Sequence, residues 1–455
     1  MRHLSLIPFV LAASFATSLA AQIAPGHALV CWKPQNPTVP GGLRVVDRAG
    51  AVVTVTGLAP QTIGTTRWDG AQSIVVRDGG VAVAGLGVDN RTGASPLPLD
   101  LRSILIVGSL AVTDTRFSTV MQVPPGEQWM VTDIKERRDR SLLVGATQVL
   151  ATANPMPRTE MFLVDTTGAV TVLPNAGFPV GSLLAVADAG AFYLGAFEQQ
   201  FFVTNTEVWA FSYQGSPAAF RVCQFVNTSA FGGMDVDIDG ELVAGVPFSG
   251  STIVRVPIVA NATPIPVAST PPTVAVCDIL PAAGLAALFT APSLVAGSLN
   301  AVDTLAGGFT QWAATVVRDP IDVSVHADPI AYGEPTVTGN AVPYLGSQGG
   351  FPRLGNSAFT LRIGGTPNAP GVVYGSAGRA SVPTPFGTLL LFPGSLFPIG
   401  NLVLSGSGTA TLPLPLPGHP SVAGTRLDLQ SVALSSVTPP MVELSQGLEL
   451  IVLTN

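Results

Sequence analysis

Charged residues are scarce in this chain, since only 11% of its 455 residues are Asp, Glu, Lys or Arg. Long segments rich in Ala, Glu, Lys and Leu are missing, which excludes a helical bundle or a coiled coil. Disorder is excluded as well, because 47% of the residues are hydrophobic and the charge is low. What the chain has instead is 49 Gly and 40 Pro, which is typical of a chain with many turns.

Cysteine is also rare. The three cysteines, Cys31, Cys223 and Cys277, are odd in number and widely spaced, so they do not fit a disulfide framework. Each lies in an apolar, strand-like run, and we therefore expect buried, free thiols. No pair has the spacing of zinc ligands, and the chain contains neither Gly-x-Ser-x-Gly nor His-Glu-x-x-His. The sequence gives little support to nucleophilic catalysis.

The formal net charge is −7, from 21 basic and 28 acidic residues. An acidic chain is a poor partner for a phosphate backbone, so we expect no nucleic-acid binding. One basic cluster exists, at Lys135, Arg137, Arg138 and Arg140, but acidic residues interleave with it. We therefore predict a solvated loop there rather than a phosphate site.

The first residues have the pattern of a secretory signal peptide. Arg2 precedes an apolar stretch from Leu4 to Ala13, and small residues lead to cleavage after Ala20 or Ala21. We predict a signal peptide over residues 1–21 and no transmembrane segment after its removal. The expected location of the mature protein is outside the cell or in the cell envelope.

A weak repeat of about 50 residues runs between about residues 28 and 326. In each unit an apolar strand ends in aspartate, and a turn followed by another apolar strand comes next. Asp-Gly between apolar runs is a strong hairpin signal, because the turn needs positive φ. The repeated aspartates are Asp78, Asp133, Asp188, Asp237, Asp278 and Asp319.

Two hairpins per unit give four strands, which is the pattern of a propeller blade. The first blade, which begins with Ala28–Trp32, lacks its leading strand. Thr315–Asp319 repeats the Val-Val-Arg-Asp of residues 75–78 and could supply that strand from the far end of the ring. We predict an all-β fold with a six-bladed β-propeller over residues 22–330, closed in this way.

Residues 331–455 differ in composition. They contain four acidic and four arginine residues, and residues 380–425 contain no Asp, Glu, Lys or Arg. Apolar runs there are separated by Gly, Pro and Ser clusters, which favours a C-terminal β-sandwich with polar faces of Ser, Thr and Gly. A surface with so little charge favours a sandwich that faces another surface, in docking or in retention at the cell envelope. The alternative is that Ser, Thr and Gly alone solvate this surface.

Four segments of this region carry a resemblance: Tyr332-Gly333, the Gly-Gly-Phe-Pro-Arg-Leu-Gly-Asn of residues 349–356, the Leu-Pro repeats of 412–417, and Ser445 to Leu450. They resemble the C-terminal module of many secreted planctomycete proteins. That module usually carries cysteines near its start and middle, and this chain has none there. The resemblance implies an exported bacterial protein with a terminal sandwich, and it implies no particular activity.

One candidate metal site stands out. Asp235, Asp237, Asp239 and Gly240 form Asp-x-Asp-x-Asp-Gly, the opening of a calcium loop, in which alternating carboxylates converge on a hard cation. The twelfth position, which is Glu in an EF-hand, is Val246. A blade hairpin is the simpler interpretation, and calcium bound by the three aspartates is the alternative.

The six repeated aspartates offer a second possibility, because they would form a ring around the propeller axis. Such a ring could hold a divalent ion and activate water. Repetition favours turn-capping aspartates instead, because a catalytic site breaks the symmetry of the blades.

The sequence thus favours an exported, non-catalytic protein that binds a protein or carbohydrate surface ligand or belongs to the cell envelope. No cofactor is expected unless calcium binds. The alternative is a metal-dependent propeller hydrolase of the lactonase or esterase type.

Overall fold

A computed structural model describes the chain between residues 23 and 454 with gaps. Outside the described residues are 1–22, 33–41, 56–61, 64–65, 68–70, 78–80, 87–98, 108–109, 122–127, 150–157, 175–180, 188–190, 201–202, 214–219, 227–231, 249–250, 269–275, 291–296, 315, 317–319, 337–340, 436–440 and 455. The predicted signal peptide, residues 1–21, lies entirely in this part. The described residues are all-β, and their helices are single 3₁₀ turns at Pro281–Ala283, Pro393–Ser395 and Pro420–Val422.

Six four-stranded antiparallel sheets lie between residues 28 and 325 in the described part of the chain. In five of them the strands follow one another along the chain, and the first sheet gains a strand from the far end. The first three sheets are β1 (Ala28–Trp32), β2 (Gly42–Val46), β3 (Val52–Val55) with β26 (Pro320–Val325); β6 (Ala71–Val76), β7 (Ala82–Leu86), β8 (Leu99–Val107), β9 (Leu110–Met121); and β10 (Gln128–Glu136), β11 (Leu142–Val149), β12 (Thr159–Val164), β13 (Val170–Val172).

The other three sheets have the same layout, and a short two-stranded ribbon stands apart from all six. These elements are β14 (Gly181–Ala187), β15 (Ala191–Gln200), β16 (Val203–Ser212), β17 (Phe220–Phe225); β18 (Gly233–Val236), β19 (Leu242–Phe248), β20 (Ser251–Val256), β21 (Ile265–Ala268); β22 (Val276–Leu280), β23 (Leu285–Thr290), β24 (Ser298–Asp303), β25 (Phe309–Ala313); and the ribbon of β4 (Thr62–Ile63) and β5 (Thr66–Arg67).

Tight turns with a glycine in the left-handed region join several of these strands. Gly240, at φ 87°, donates its amide hydrogen to the carbonyl of Asp237 at 2.9 Å and leads from β18 into β19. Gly168, at φ 89°, makes the matching bond to Asp165 between β12 and β13. Glycine adopts this conformation without steric cost, whereas other residues are strained there. The hairpin predicted at Asp239-Gly240 is confirmed.

The leading strands of the six sheets are arranged in a closed circle. Each contacts the leading strand of the next sheet, in the order β6, β10, β14, β18, β22 and β26, and β26 contacts β6 again. In β22 side chains from both faces are buried, since every residue of this strand except Asp278 is buried. The arrangement is propeller-like, with one strand of each sheet nearest a common axis.

The circle is closed by a strand from the far end of this region, as the sequence predicts, but by a different segment. Pro320–Val325 pairs antiparallel with Ala28–Trp32, with Val323 opposite Val30. Of the predicted closing segment Thr315–Asp319, only Val316 lies among the described residues, and its amide donates to the carbonyl of Gly297 at 2.9 Å. The described strand begins at Pro320, and its alternating Val323 and Val325 pack into the core.

Residues after 330 form a second set of antiparallel sheets. The six-stranded sheet has the order β27, β37, β35, β30, β33, with β36 also paired to β35, beside a three-stranded sheet β28, β29, β34 and the hairpin β31–β32. The strands are β27 (Ile330–Tyr332), β28 (Tyr344–Gln348), β29 (Thr360–Gly364), β30 (Pro370–Ser376), β31 (Arg379–Thr384), β32 (Gly387–Leu391), β33 (Phe397–Val403), β34 (Thr409–Pro413), β35 (Arg426–Leu434), β36 (Val442–Leu444) and β37 (Gly447–Ile451).

These C-terminal sheets share one hydrophobic core and also pack on the first six sheets. Leu361 of the three-stranded sheet and Leu429 and Leu448 of the six-stranded sheet are fully buried in one cluster. The same cluster includes Ile238 and Ala282, which belong to the propeller-like part. In the part of the chain that the structure describes, no helix has the length and apolarity needed to cross a membrane.

Candidate functional site

A cavity of about 640 Å³ lies where the leading strands meet the C-terminal sheets. Its wall is formed by β6, β10, β18, β22 and β26 and by residues that follow β26, among them Ile330, Ala331 and Glu334. The sheets of the propeller-like part therefore supply most of the wall, and the C-terminal region supplies the rest. Its charged lining residues are Asp133, Lys135, Glu136, Arg138, Asp235, Asp237, Asp239, Asp278, Asp322 and Glu334.

The cavity centres on one lysine. Lys135 Nζ lies 3.8 Å from Asp235 Oδ2 and 3.8 Å from Asp278 Oδ1, and all three side chains are largely buried. Asp133 and Asp322 also lie close enough to act on the charge of Lys135. Because side chains alternate along a strand, Asp133 and Lys135 project from the same face of β10. Four carboxylates from four different strands thus surround one ammonium group.

The carboxylates are held in place by neighbouring strands. Asp322 Oδ2 accepts hydrogen bonds from Ser73 Oγ at 2.9 Å and from the amide of Ile74 at 2.8 Å, which joins β26 to β6. Asp278 Oδ2 accepts from the amide of Val325 at 2.8 Å, which joins β22 to β26. These bonds satisfy strand amides that face the adjacent sheet. The aspartates both line the cavity and connect one sheet to the next.

Burial and mutual repulsion shift the ionisation of this group. Burial, together with the carboxylate of Asp133, raises the pKa of Asp322 to about 7. Burial also raises the pKa of Asp278, against the opposing effect of Lys135. For Lys135, burial alone would lower the pKa, but the carboxylates of Asp235, Asp133, Asp278 and Asp322 together raise it above its usual value.

The arrangement limits what the cavity can do chemically. A lysine with a raised pKa stays protonated at neutral pH, so Lys135 is a cation there and not a nucleophile. Ser73 donates its hydroxyl to Asp322 but is fully buried, which removes it from any bound molecule. Ser324, 5% exposed, accepts a hydrogen bond from the amide of Val76. What the cavity offers to a small molecule is acidic oxygen atoms around one fixed positive charge.

The three aspartates of the predicted calcium loop have separate surroundings. Asp235 faces Lys135 in the cavity, whereas Asp237 and Asp239 follow β18 and turn toward arginines. Arg255 donates to Asp237 at 2.7 Å and to Asp239 at 2.6 Å. Arg362 of the C-terminal sheets donates to Asp239 at 2.9 Å and lies 3.5 Å from Asp237.

Two of the three carboxylates are thus matched by guanidinium groups. Among the described residues, no group of three or more His, Cys, Asp or Glu side chains is placed to hold a metal ion. The backbone of the loop forms the predicted hairpin turn. Calcium binding at Asp235, Asp237 and Asp239 stays a prediction.

The predicted ring of repeated aspartates is only partly described. Asp78, Asp188 and Asp319 lie outside the described residues. Asp133 and Asp278 do line the cavity, although each lies within its strand rather than at its end. The other two positions around Lys135 are held by Asp235 and Asp322, which the repeat did not include.

The solvated loop predicted for the basic cluster is wrong for Lys135, which lies within β10, whereas residues 137–140 do form the turn between β10 and β11. Lys135 points into the cavity with 12% of its side chain exposed, and Arg138 lies 3.9 Å from Glu334. The guanidinium of Arg137 lies 4.6 Å from the ring centre of Tyr213, and Arg140 lies 3.6 Å from Glu136. The signal that could have found Lys135 is its spacing, since it lies two residues after the strand aspartate Asp133 and shares its face of β10.

No family model and no curated protein sequence matches the chain. Solved structures resemble it in fold. A puromycin hydrolase is 15% identical with a TM-score of 0.40, and the match covers 76% of this chain and 51% of the hydrolase. This chain therefore spans about half the length of that protein.

Two further similar structures are a sialidase and TolB. The Trypanosoma rangeli sialidase in complex with 2,3-difluoro-KDN is 10% identical with a TM-score of 0.37, and the match covers 96% of this chain and 97% of the sialidase. TolB from Acinetobacter baumannii is 14% identical with a TM-score of 0.28, over 62% of this chain and 76% of TolB. At such identities and scores, these similarities carry no argument about activity.

Proposed function

We propose that this chain is an exported, non-catalytic binding protein whose central cavity takes a small cationic ligand. In this proposal residues 22–330 form a six-bladed β-propeller and residues 331–455 a β-sandwich. Six four-stranded sheets with leading strands in a closed circle support the first part. Two sheets around the core of Leu361, Leu429 and Leu448 support the second.

One observation carries the proposed ligand class, namely the excess of carboxylates around Lys135. Asp133, Asp235, Asp278 and Asp322 are four acidic groups opposite one ammonium group. The other cavity charges are matched locally, since Glu136 pairs with Arg77 at 2.9 Å and Glu334 lies near Arg138. Burial and the carboxylate of Asp133 raise the pKa of Asp322, and a second positive charge beside these carboxylates would favour their ionised forms. An ammonium or guanidinium compound meets that requirement.

The alternative, a metal-dependent propeller hydrolase, requires a catalytic group in the cavity in addition to its charge. A hydrolase needs a water or a side chain activated for attack. In this cavity the carboxylates surround Lys135, and the hydroxyl of Ser73 is buried and already donates to Asp322. Binding requires only the charge that is present, and it is therefore the better supported of the two functions.

Export and an envelope location remain part of the proposal. They are supported by the signal-peptide pattern of residues 1–21 and by the resemblance of residues 331–455 to the module of secreted planctomycete proteins. Secretion from the native host with and without residues 1–21 would test this part separately from ligand binding.

The ligand class can be tested with putrescine and spermidine as probes. A ligand that binds only the folded chain stabilises it by RT ln(1 + [L]/Kd), so both amines should raise the melting temperature, and calorimetry should give a dissociation constant. Asp235→Asn removes one carboxylate from Lys135 and should weaken binding. Asp165→Asn, in an exposed turn between β12 and β13, is the matched control and should bind as the parent does.

Two results would overturn the proposal. One is the absence of binding to both amines. The other is a large rise in melting temperature with Ca²⁺, Mg²⁺ or Zn²⁺ that Asp237→Asn abolishes, because this would place a metal at the predicted calcium loop and favour the hydrolase.

A further inference from the structure

The cavity is much larger than the cationic group that its carboxylates would hold. Its volume is about 640 Å³. Cavities of about 300–1,000 Å³ take whole organic molecules, and most of the wall of such a site is apolar. Apart from the charged residues named above, most of the side chains that line this cavity are apolar too. A ligand that fills the cavity therefore has an uncharged part as well as a cationic one.

The strands around the cavity run toward the C-terminal sheets. β10, β18, β22 and β26 hold equivalent positions in their four-stranded sheets. Arg138, which follows β10, lies 3.9 Å from Glu334. Ser347 of β28 donates to the carbonyl of Ala282, which follows β22, at 3.3 Å. Residues that follow the strands thus lie nearer the C-terminal sheets than residues within the strands do.

We call Lys135 and the four aspartates that surround it, Asp133, Asp235, Asp278 and Asp322, the Lys135 cluster. All five residues lie within their strands rather than after them. The cavity therefore extends from the Lys135 cluster toward the C-terminal sheets, and its two ends differ in chemistry.

The end nearer the C-terminal sheets is apolar. Ile238 and Ala282 line the cavity and belong to the hydrophobic core that the two regions share. Ala331 lines it as well and packs against the same core. Other apolar residues at this end are Ile330, Pro335 and Val342. The acidic side chains here already lie beside arginines, namely Glu334 near Arg138, and Asp237 and Asp239 near Arg255 and Arg362.

The cavity reaches solvent at this apolar end. Val342 is 55% exposed and the side chain of Glu334 62% exposed, and both residues line the cavity. The side chain of Lys135, by contrast, is 12% exposed. A ligand that enters here brings its cationic group to the Lys135 cluster and leaves the rest of the molecule against the apolar end.

One polar atom of the wall lacks a partner. Thr132, beside Asp133 on β10, lines the cavity, and its buried hydroxyl oxygen makes no hydrogen bond among the described residues. A buried polar group without a partner is costly, so a donor that reaches this oxygen is favoured. An ammonium group carries three such donors, enough for the hydroxyl and for the carboxylates beside it.

We propose that the cavity binds an organic amine with one ammonium group and an apolar chain. The ammonium lies in the Lys135 cluster, and the chain packs against the residues around Ile238, Ala282 and Ala331. This inference deepens the proposed function and rests on it, because it names the part of the ligand that is not charged. A metal ion would use none of the apolar wall, and a second ammonium at the apolar end would find only carboxylates that arginines already accompany.

Three amines test the proposal by calorimetry on the full chain: n-butylamine, n-hexylamine and 1,6-diaminohexane. Hexylamine should bind about tenfold more tightly than butylamine, because each methylene removed from water favours binding. 1,6-Diaminohexane has the same chain but ends in a second ammonium, so it should bind about tenfold more weakly than hexylamine.

Two variants locate the two ends of the ligand. Val342→Asp places a carboxylate at the exposed end of the cavity and should reduce the preference for hexylamine over 1,6-diaminohexane about threefold. Val172→Asp, at a residue that is 54% exposed on β13, is the matched control and should leave that preference unchanged. Asp235→Asn should weaken butylamine and hexylamine by the same factor, because both place their ammonium in the Lys135 cluster. Unfolding curves establish that each variant is folded.

The outcomes separate this inference from the proposed function. Binding of putrescine together with equal affinities for butylamine and hexylamine would overturn the inference alone, as would tighter binding of 1,6-diaminohexane than of hexylamine. Hexylamine binding that Asp235→Asn leaves unchanged would place the amine outside the cavity and overturn the inference as well. Absence of binding by every amine, putrescine and spermidine included, would overturn the proposed function and this inference with it.

Discussion

The strands that line the cavity and the C-terminal sheets differ in how their acidic and basic side chains are balanced. Around Lys135, carboxylates from four strands face one another across a shared space and outnumber their counter-ion. In the C-terminal sheets, Asp428 and Glu449 are opposite each other on β35 and β37, and Arg379 and Arg426 both lie against them. In the C-terminal sheets the acidic and basic side chains neutralise one another. Around Lys135 the acidic side chains are in excess, so a cationic ligand could be bound there.

The two regions meet at a third kind of charge cluster. Arg255 and Arg362 come from different regions and share Asp237 and Asp239. The side chain of Asp237 is 1% exposed and those of the two arginines 9% and 7%. Ions this deeply buried require full pairing, since a lone buried charge is costly. This cluster ties the wall of the cavity to the C-terminal sheets.

The largest expected effect concerns whether the six propeller-like sheets fold without the C-terminal sheets. A chain ending at Gly308 loses β25 and the closing strand β26, which leaves β1 and β6 without their shared neighbour. An unpaired strand edge is a template for aggregation, so we expect insoluble or aggregated protein. A chain ending at Ile330 keeps β26 and should remain soluble and folded, although it exposes Ile238. Size-exclusion chromatography and unfolding curves distinguish the two.

A soluble fragment ending at Gly308 that unfolds cooperatively would show that ring closure is unnecessary. Aggregation of both fragments would show instead that the two regions fold only together, and the comparison between them would then lose its meaning.

A smaller effect should separate the buried cluster from the pairs within the C-terminal sheets. Arg255→Met leaves Asp237 without its 2.7 Å partner, and breaking a buried pair costs about 3–5 kcal/mol. Arg426→Met removes an arginine that is 47% exposed and leaves Arg379 beside the same carboxylates. Because Arg426 is half exposed and Arg379 still accompanies the buried Asp428 and Glu449, this variant should lose less stability than Arg255→Met. Urea unfolding measures both, and equal losses would contradict the distinction.

The general architecture follows from sequence patterns, because strand and turn signals are local. Asp239-Gly240 predicts a hairpin because the prediction depends only on the geometry of the turn. The burial of Cys31 and Cys223 could be predicted because each lies in an apolar run. Ring closure could be inferred from counting strands. The segment that closes the ring could not, because Val-Val-Arg-Asp at 316–319 and the strand Pro320–Val325 are adjacent and each contains two valines and an aspartate.

The site was harder to predict because it depends on which strands face each other. In the sequence, Lys135 belongs to a run of basic residues. It reaches Asp235 and Asp278 only because β10 lies across the axis from β18 and β22. The contact of Arg362 with Asp239 is harder still to predict, because the two residues are 123 positions apart in the sequence. Motif spacing contains no information about such contacts.

The smallest effect is the pH dependence that Asp322 should contribute from the cavity. The folded-state pKa of Asp322, about 7, lies above the value of about 3.9 expected in an unfolded chain. A raised carboxyl pKa means that the folded state holds the proton more tightly, so its contribution is fully present below about pH 4 and is lost as pH rises toward 7. Burial and the carboxylate of Asp133 oppose the ionisation of Asp322, whereas the hydrogen bonds from Ile74 and Ser73 and the charge of Lys135 favour it. The net direction is a fold that becomes less stable as Asp322 ionises.

Asp322→Asn removes this proton equilibrium, so the free energy of unfolding should fall less between pH 4 and pH 7 than it does in the parent. Urea unfolding at a series of pH values measures the slope, which is independent of the constant loss from the altered hydrogen bonds. Asp165→Asn is the control of opposite sign, because hydrogen bonds from the Thr167 side chain and from the Ala169 amide lower the pKa of Asp165. Its contribution is present above about pH 4 and disappears on acidification, so this control should leave the slope between pH 4 and pH 7 unchanged. A parent-like slope in Asp322→Asn would mean that neither burial nor the carboxylate of Asp133 makes the folded chain hold this proton more tightly, and it would contradict the raised pKa of Asp322.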